Sequence, residues 1–217
     1  MIPFAGPVKL VDCTTRGAGT ELFIVEGDSA SLSVANARDM KFQAVLPMQG
    51  KPMNALRASE KKVAANTLFA ALITALGAGS RDSFDLAQCR YDRVLLLLDP
   101  DADGIHCGAL LTMFFHRWMR PLLEAGRLQM VRAPLAELHR EGDAAPTYVY
   151  TDAQFRSLCA AYGKPGEPPF NTVRYRGLAG IAPNVLAERC LVPATRVTTI
   201  MQLRDAELAI EVFGGTT

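Results

Sequence analysis

The most restrictive feature of the sequence is an unbroken apolar run, residues 94–98, that leads directly into the acidic segment Asp99-Pro100-Asp101-Ala102-Asp103-Gly104. A short run with no polar position is typical of a strand that is buried on both faces of a parallel sheet. A second such run, residues 22–25, ends at Glu26. Since ligands of open α/β sheets bind beyond the carboxyl ends of the strands, both acidic segments are predicted to lie at one edge of the sheet.

Strand and helix patterns alternate along the first 140 residues. Residues 43–46, which Pro47 should end, and residues 128–131 add two strands. Helices are predicted over residues 28–38, 59–76 and about 102–125, with Asp28 or Ser29 as the cap of the first. This alternation predicts an α/β fold in which a parallel sheet has helices on both faces.

The pattern changes after Pro134. Residues 135–138 and 148–150 are predicted to pair as strands, and Thr151 to cap a helix over residues 152–162. A Pro/Gly connector, a strand at 196–201 and a last helix follow. We therefore divide the chain into an N-terminal segment (1–20), an α/β domain (21–140) and a smaller α+β C-terminal tail subdomain (141–217).

Composition limits the function classes. Hydrophobic residues make up 49% and charged residues 21%, which is typical of a soluble globular protein. The formal net charge of +1 does not indicate DNA binding through bulk charge. The five cysteines are an odd number without a CxxC pair, which favours reduced thiols. Without a visible signal peptide or a membrane-length apolar stretch, we expect a soluble, cytoplasmic protein with no membrane partner.

The acidic residues favour a site for a hard cation. Glu26, Asp99 and Asp101 offer the oxygen ligands that Mg²⁺ prefers, for one or two ions that assist phosphoryl transfer. An EF-hand loop is excluded because its twelfth position is Leu110 instead of glutamate. A phosphatase of the haloacid-dehalogenase type is a weaker alternative, since Asp103 replaces the expected Thr or Val. Any single one of these acids could also be a solvated turn residue or a helix cap.

Four motifs together carry a resemblance to a known family. They are, in order, Glu26-Gly27-Asp28-Ser29-Ala30, Leu46-Pro47-Met48-Gln49-Gly50-Lys51, Asp99-x-Asp101-x-Asp103-Gly104-x-His106, and Arg174-Tyr175-Arg176-Gly177-Leu178. In this order they resemble the TOPRIM domain of bacterial type IIA topoisomerase B subunits, the DNA gyrase and topoisomerase IV family. The likeness extends from residue 8 to about residue 213.

The resemblance implies a Rossmann-like TOPRIM fold that binds Mg²⁺ and assists DNA cleavage and religation. It implies that Glu26, Asp99 and Asp101 are catalytic and hold the metal, with Asp103 as a further ligand, and that Glu26 also acts as a general acid and base. It implies DNA as a partner, and an A-type subunit that carries the attacking tyrosine, with this chain as a homodimer within a heterotetramer. The implied DNA contacts are Lys51, His106, Arg174 and Arg176, whereas Tyr175 is interpreted as a packing residue.

The chain departs from the family pattern at several positions that approach DNA or the partner. Cys107-Gly108 replaces the usual Ile-Arg, and residues 179–182 replace the usual GEMN stretch. We expect the ATPase and transducer domains of the family to be absent, and we therefore expect no ATP binding by this chain. Two alternatives therefore stay open: a stand-alone TOPRIM nuclease or phosphotransferase, and a non-catalytic module that binds DNA or a partner.

Overall fold

A computed structural model describes residues 9–163 and 169–214. In chain order its strands are β1 (Gly17–Glu26), β2 (Gln43–Met48), β3 (Tyr91–Leu97), β4 (Leu128–Arg132), β5 (Ala136–His139), β6 (Thr147–Val149), β7 (Asn171–Arg174) and β8 (Val197–Ile200). The helices are α1 (Gly27–Ala37), α2 (Glu60–Ala65), α3 (Thr67–Leu76), α4 (Ala102–Trp118), α5 (Arg120–Glu124), α6 (Asp152–Tyr162), α7 (Pro183–Leu186) and α8 (Leu203–Phe213).

Five strands form the main sheet in the order β2-β1-β3-β4-β8. The first four are parallel, and β8 runs antiparallel to β4. Ile24 in β1 lies between Leu46 in β2 and Leu96 in β3, so the carboxyl ends of these strands are level. The predicted mostly parallel α/β sheet is confirmed.

The sheet is buried on both faces, which explains the unbroken apolar runs. Leu22 and Ile24 point into a core formed with α3 and α4, whereas Phe23 and Val25 point into a second core formed with α1 and α7. All four side chains are fully buried. Helices therefore cover both faces, as predicted. No helix within residues 9–163 and 169–214 is long and apolar enough to cross a membrane.

Two predicted helices are each divided in two. At residues 59–76 the chain becomes extended at Asn66, whose side chain accepts a hydrogen bond from Phe69 N at 3.1 Å and so caps α3. At residues 102–125 the break lies at Met119, because Pro121 cannot donate the backbone hydrogen bond that a continuous helix needs. The single helices predicted over these spans were wrong.

Three predicted boundaries also differ. Strand β1 starts at Gly17, inside the predicted N-terminal segment. Helix α1 starts at Gly27 with Glu26 as its N-cap residue, so neither Asp28 nor Ser29 caps it. Strand β2 continues through Pro47, which is tolerated because β2 is an edge strand of the sheet.

The segment after residue 140 contributes to both sheets. Strands β6, β5 and β7 form a small antiparallel sheet in that order, and the predicted pairing around residues 141–146 is confirmed. Thr151 caps α6 as predicted, accepting a hydrogen bond from Gln154 N. Strand β8, in contrast, joins the main sheet, and α8 packs on α4 through Ala209. Most of the predicted Pro/Gly connector, residues 164–168, lies outside the described residues.

Candidate functional site

Glu26 and Asp99 lie side by side at the carboxyl edge of the main sheet. Glu26 is the last residue of β1, and Asp99 follows β3 by two residues. The backbone N–H of Asp99 donates a 3.0 Å hydrogen bond to Glu26 Oε1, so the two strand ends are linked directly. Both residues are half-buried. Glu26 and Asp99 therefore lie together at one edge of the sheet, as predicted.

Asp101 and Asp103 extend the acidic group onto the start of α4. Asp101 is the N-cap residue, and its Oδ1 accepts a hydrogen bond from Gly104 N at 2.8 Å. Asp103, in the first turn, forms a 2.8 Å ion pair with Lys51 Nζ. Both aspartates are exposed, so they face solvent beside the half-buried pair.

Gly104 lets the start of α4 approach the two strand ends. A Cβ atom at this position would lie 2.0 Å from the Asp99 carbonyl oxygen and 2.9 Å from Glu26 Oε1. These separations are far inside van der Waals contact, so a side chain would force Asp99 or Glu26 to move. The glycine after the three aspartates is thus a structural requirement of the site.

The electrostatic environment disfavours negative charge on the half-buried residues Glu26 and Asp99. Burial raises the pKa of Glu26, and the carboxylates of Asp99, Asp101 and Asp103 raise it further. Burial and the nearby Asp101 likewise raise the pKa of Asp99. In contrast, the hydrogen bond from Lys51 lowers the pKa of Asp103. A cation at this edge would relieve the repulsion around Glu26 and Asp99.

The donor set has the chemistry that Mg²⁺ requires, although its members do not converge on one point. Each of the four carboxylates uses one oxygen in a hydrogen bond or an ion pair. Across residues 9–163 and 169–214, no three His, Cys, Asp or Glu side chains form a ready cluster of ligands. Mg²⁺ keeps several waters and is usually held by one or two carboxylates together with phosphate. Glu26 and Asp99 fit that requirement.

The predicted basic and aromatic residues have different surroundings. Lys51 lies beside the acidic residues, because its Nζ donates a hydrogen bond to Asp103. His106 stacks on Phe213 of α8, with ring centroids 4.9 Å apart. Two arginines complete the predicted set. Arg174 is paired with Asp152 on the small sheet at 2.6 Å, and Arg176 is exposed. Tyr175 is buried, and its hydroxyl donates to Glu137.

Gly177 and Leu178 lie against Asp99, although neither was predicted to be near the acidic residues. The Leu178 N–H donates a 2.9 Å hydrogen bond to Asp99 Oδ1, and Gly177 packs on the same carboxylate. Only the arginines of this motif were predicted to make functional contacts. Its glycine was the residue that could have indicated a close approach of the backbone to another group.

Two clefts flank the acidic group. One, of about 370 Å³, is lined by Glu26, Gly27, Met48, Gly50, Lys51, Asp103 and Cys107. The other, of about 530 Å³, lies between α4, β4 and α8 and is mainly apolar, with Asp99 at its margin. The first cleft therefore brings Glu26 and Asp103 together with Lys51.

The sequence is similar to proteins of a known family. Residues 21–133 match the Toprim domain family. The DNA gyrase B protein of Halalkalibacterium halodurans is 38% identical over 208 residues, which cover 95% of this chain and 32% of that protein. The gyrase B proteins of Archaeoglobus fulgidus and Thermotoga maritima are 38% and 39% identical over the same shares.

The chain thus spans about a third of the length of these relatives. The Toprim match covers the four parallel strands of the main sheet apart from the start of β1, together with all four acidic residues. The chain belongs to the Toprim domain family, and it is similar over nearly its whole length to part of the DNA gyrase B protein.

Proposed function

We propose that this chain provides the magnesium centre of a type IIA topoisomerase and assists the cleavage and religation of DNA. Glu26, Asp99 and Asp101 would hold Mg²⁺, with Asp103 as a further ligand. The observation that carries the proposal is the hydrogen bond from the Asp99 backbone N–H to Glu26 Oε1, which holds two half-buried acidic residues side by side at the carboxyl edge of neighbouring parallel strands. Ligand sites of open α/β sheets lie at this edge.

Bound Mg²⁺ would offset the charge that develops on the oxygens of the scissile phosphate. Glu26 has a second role in the proposal, as the group that takes and returns a proton at the ribose 3′ oxygen. Burial, and then the nearby aspartates, raise the pKa of Glu26. A raised pKa suits this role, because a general acid and base works best when its pKa is near the working pH.

Lys51 is the first candidate for a contact with DNA phosphate. Its partner Asp103 has 79% of its side chain exposed, and exposed ion pairs contribute little, so the pair can exchange for a phosphate contact. Arg176 is exposed next to Gly177, which packs on Asp99, and is the second candidate. Arg174 is a third candidate, since its pair with Asp152 is also exposed. His106 ranks lower, because it stacks on Phe213.

The proposed partners follow from the similarity to gyrase B proteins. An A-type subunit would bring the attacking tyrosine, and two copies of each subunit would form a heterotetramer on DNA. The chain matches about a third of the length of these relatives, so the activity of the whole assembly is part of the proposal.

The test is a cleavage assay with Mg²⁺ and duplex DNA, with and without an A-type subunit from the same organism. Covalent protein–DNA complexes are trapped with detergent and counted. We expect cleavage only when both proteins and Mg²⁺ are present. Glu26→Gln should abolish it, whereas Glu60→Gln, which changes an exposed glutamate on α2, should leave it unchanged.

Two other outcomes would replace the proposal. Mg²⁺-dependent cleavage by the chain alone would indicate a stand-alone nuclease. Binding of DNA or the A-type subunit that is unaffected by Asp99→Ala and Asp101→Ala, without cleavage, would indicate a non-catalytic module.

A further inference from the structure

The carboxylate of Asp99 is covered by a turn from the C-terminal part of the chain. Leu178 N donates to Asp99 Oδ1 at 2.9 Å, although 79 positions separate the two residues. The turn therefore supplies a backbone donor that holds one oxygen of this carboxylate.

The turn can approach this closely only because residue 177 is glycine. Its φ of +156° with ψ of 167° belongs to a region that residues with a side chain rarely adopt. A Cβ atom there would lie 3.1 Å from Asp99 Oδ2 and 3.4 Å from Oδ1. Any side chain at residue 177 would thus press on both oxygens of the carboxylate.

The turn is itself held firmly. Gly180 N donates to Gly177 O at 3.0 Å, and Ile181 N donates to Leu178 O at 3.2 Å. The Leu178 side chain is only 1% exposed and packs in the core between α1 and α7. The Leu178 N–H that faces Asp99 is therefore held in place by hydrogen bonds within the turn and by packing in the core.

We propose that the Gly177–Leu178 turn is a positioning element of the metal site, which orients Asp99 and fixes its Oδ1 so that the carboxylate meets Mg²⁺ in one orientation. The inference rests on the proposed function, since it assigns Asp99 to the metal. Partners that hydrogen-bond a metal ligand orient it, and their loss commonly costs about 10–100-fold in metal affinity. Gly177 and Leu178 act through Asp99 and need not touch the ion.

The test measures Mg²⁺ affinity by calorimetry for the full chain and for Gly177→Ala. We expect the variant to bind Mg²⁺ about 10–100-fold more weakly. The matched control is Gly142→Ala, because Gly142 also has a positive φ, of +87°, but has no atom within 4 Å of a built Cβ. It introduces backbone strain of a similar kind away from Asp99 and should leave the affinity unchanged.

A second measurement needs no substitution in the turn. Amide hydrogen exchange of Leu178 is compared between the native chain and Asp99→Ala, with the Ile181 amide as the internal reference. We expect the Leu178 amide to exchange about tenfold faster in Asp99→Ala, because it loses a charged acceptor. The Ile181 amide, which donates within the turn, should not change.

The outcomes separate the two proposals. If the native chain binds Mg²⁺ and Glu26→Gln does not, while Gly177→Ala binds as tightly as the native chain, the positioning role is overturned and the proposed function stands. Unchanged Leu178 exchange in Asp99→Ala would also overturn it. If the native chain binds no Mg²⁺, both proposals fail together.

Discussion

Arg196 and Glu21 form a two-point ion pair inside the protein, although 175 positions separate them. Arg196 Nη1 and Nη2 lie 2.7 and 2.6 Å from Glu21 Oε2 and Oε1, and both side chains are almost completely buried. Gln43 also donates to Glu21 Oε2, and both Gln43 and Arg196 donate to the carbonyl oxygen of Leu191. This cluster ties β1 and β2 to the segment that leads into β8.

Removing one partner of this pair should destabilise the protein strongly. Arg196→Ala leaves the Glu21 carboxylate buried without its main partner, and such losses cost about 3–5 kcal/mol. Urea denaturation measures the free energy of unfolding. The control is Arg120→Ala, which breaks an exposed pair with Glu124 and should cost no more than about 0.5 kcal/mol. Equal losses in the two variants would contradict a structural role for the buried pair.

Gly104→Ala should destabilise the protein even though alanine is the better helix former. The added Cβ collides with the Asp99 carbonyl oxygen, and we expect a cost of about 1–3 kcal/mol, typical of overpacking. Gly180→Ala is the control, since a Cβ there meets no atom within 4 Å. Denaturation curves for both variants check the prediction, which fails if Gly104→Ala unfolds at the same urea concentration as the native chain.

Glu26→Gln should make the protein more stable at pH 7. Burial raises the pKa of Glu26 in the folded state, so the folded chain holds this proton more tightly than the unfolded chain. The stability from this group is complete below about pH 4 and is lost as pH rises through the raised pKa. The advantage of Glu26→Gln should therefore vanish below about pH 4, and denaturation in Mg²⁺-free buffer from pH 3 to 8 measures it.

Asp12→Asn provides the control of opposite sign. Burial acts to raise the pKa of Asp12, but hydrogen bonds from Tyr91 and Arg90 lower it overall. Its charged form therefore stabilises the fold, and the variant should lose stability above about pH 4. A difference between Glu26→Gln and the native chain that stays constant from pH 3 to 8 would contradict the assignment.

Lys51→Ala should weaken DNA binding in a way that depends on salt. One lost phosphate contact should reduce the slope of log affinity against log salt concentration by about 0.9. Fluorescence anisotropy with a duplex at several salt concentrations gives this slope. Lys61→Ala, which removes an exposed lysine on α2, should leave the slope unchanged. If the two variants behave alike, Lys51 is not a specific phosphate contact.

The parts of the fold that were predicted correctly are those that local patterns determine. Residues 22–25 and 94–98 are apolar at every position because both faces of the sheet are covered, and this signal needs no distant partner. The breaks at Asn66 and Met119 were missed because the apolar spacing of a helix continues across them. Their geometry depends on a side-chain cap and on a proline two residues later.

Only the residues at the ends of the strands could be placed in the site from the sequence. That Glu26 and Asp99 would share an edge follows from the topology of a parallel sheet. That Leu178 donates to Asp99, and that Lys51 pairs with Asp103, depends on how distant segments pack, and no spacing in the sequence records it. The contact between Arg196 and Glu21 was missed for the same reason.

The antiparallel strand β8 has a consequence for how the protein is made. It covers the outer edge of β4 with residues 197–200, whereas the family match ends at residue 133. During synthesis, β4 leaves the ribosome long before the strand that covers it, and an uncovered edge is a template for pairing with other chains. A fragment cut at residue 133 would keep all four acidic residues and still present that edge to its neighbours. The segment that matches the family, residues 21–133, is therefore shorter than the segment that must be translated before β8 can cover the edge of β4.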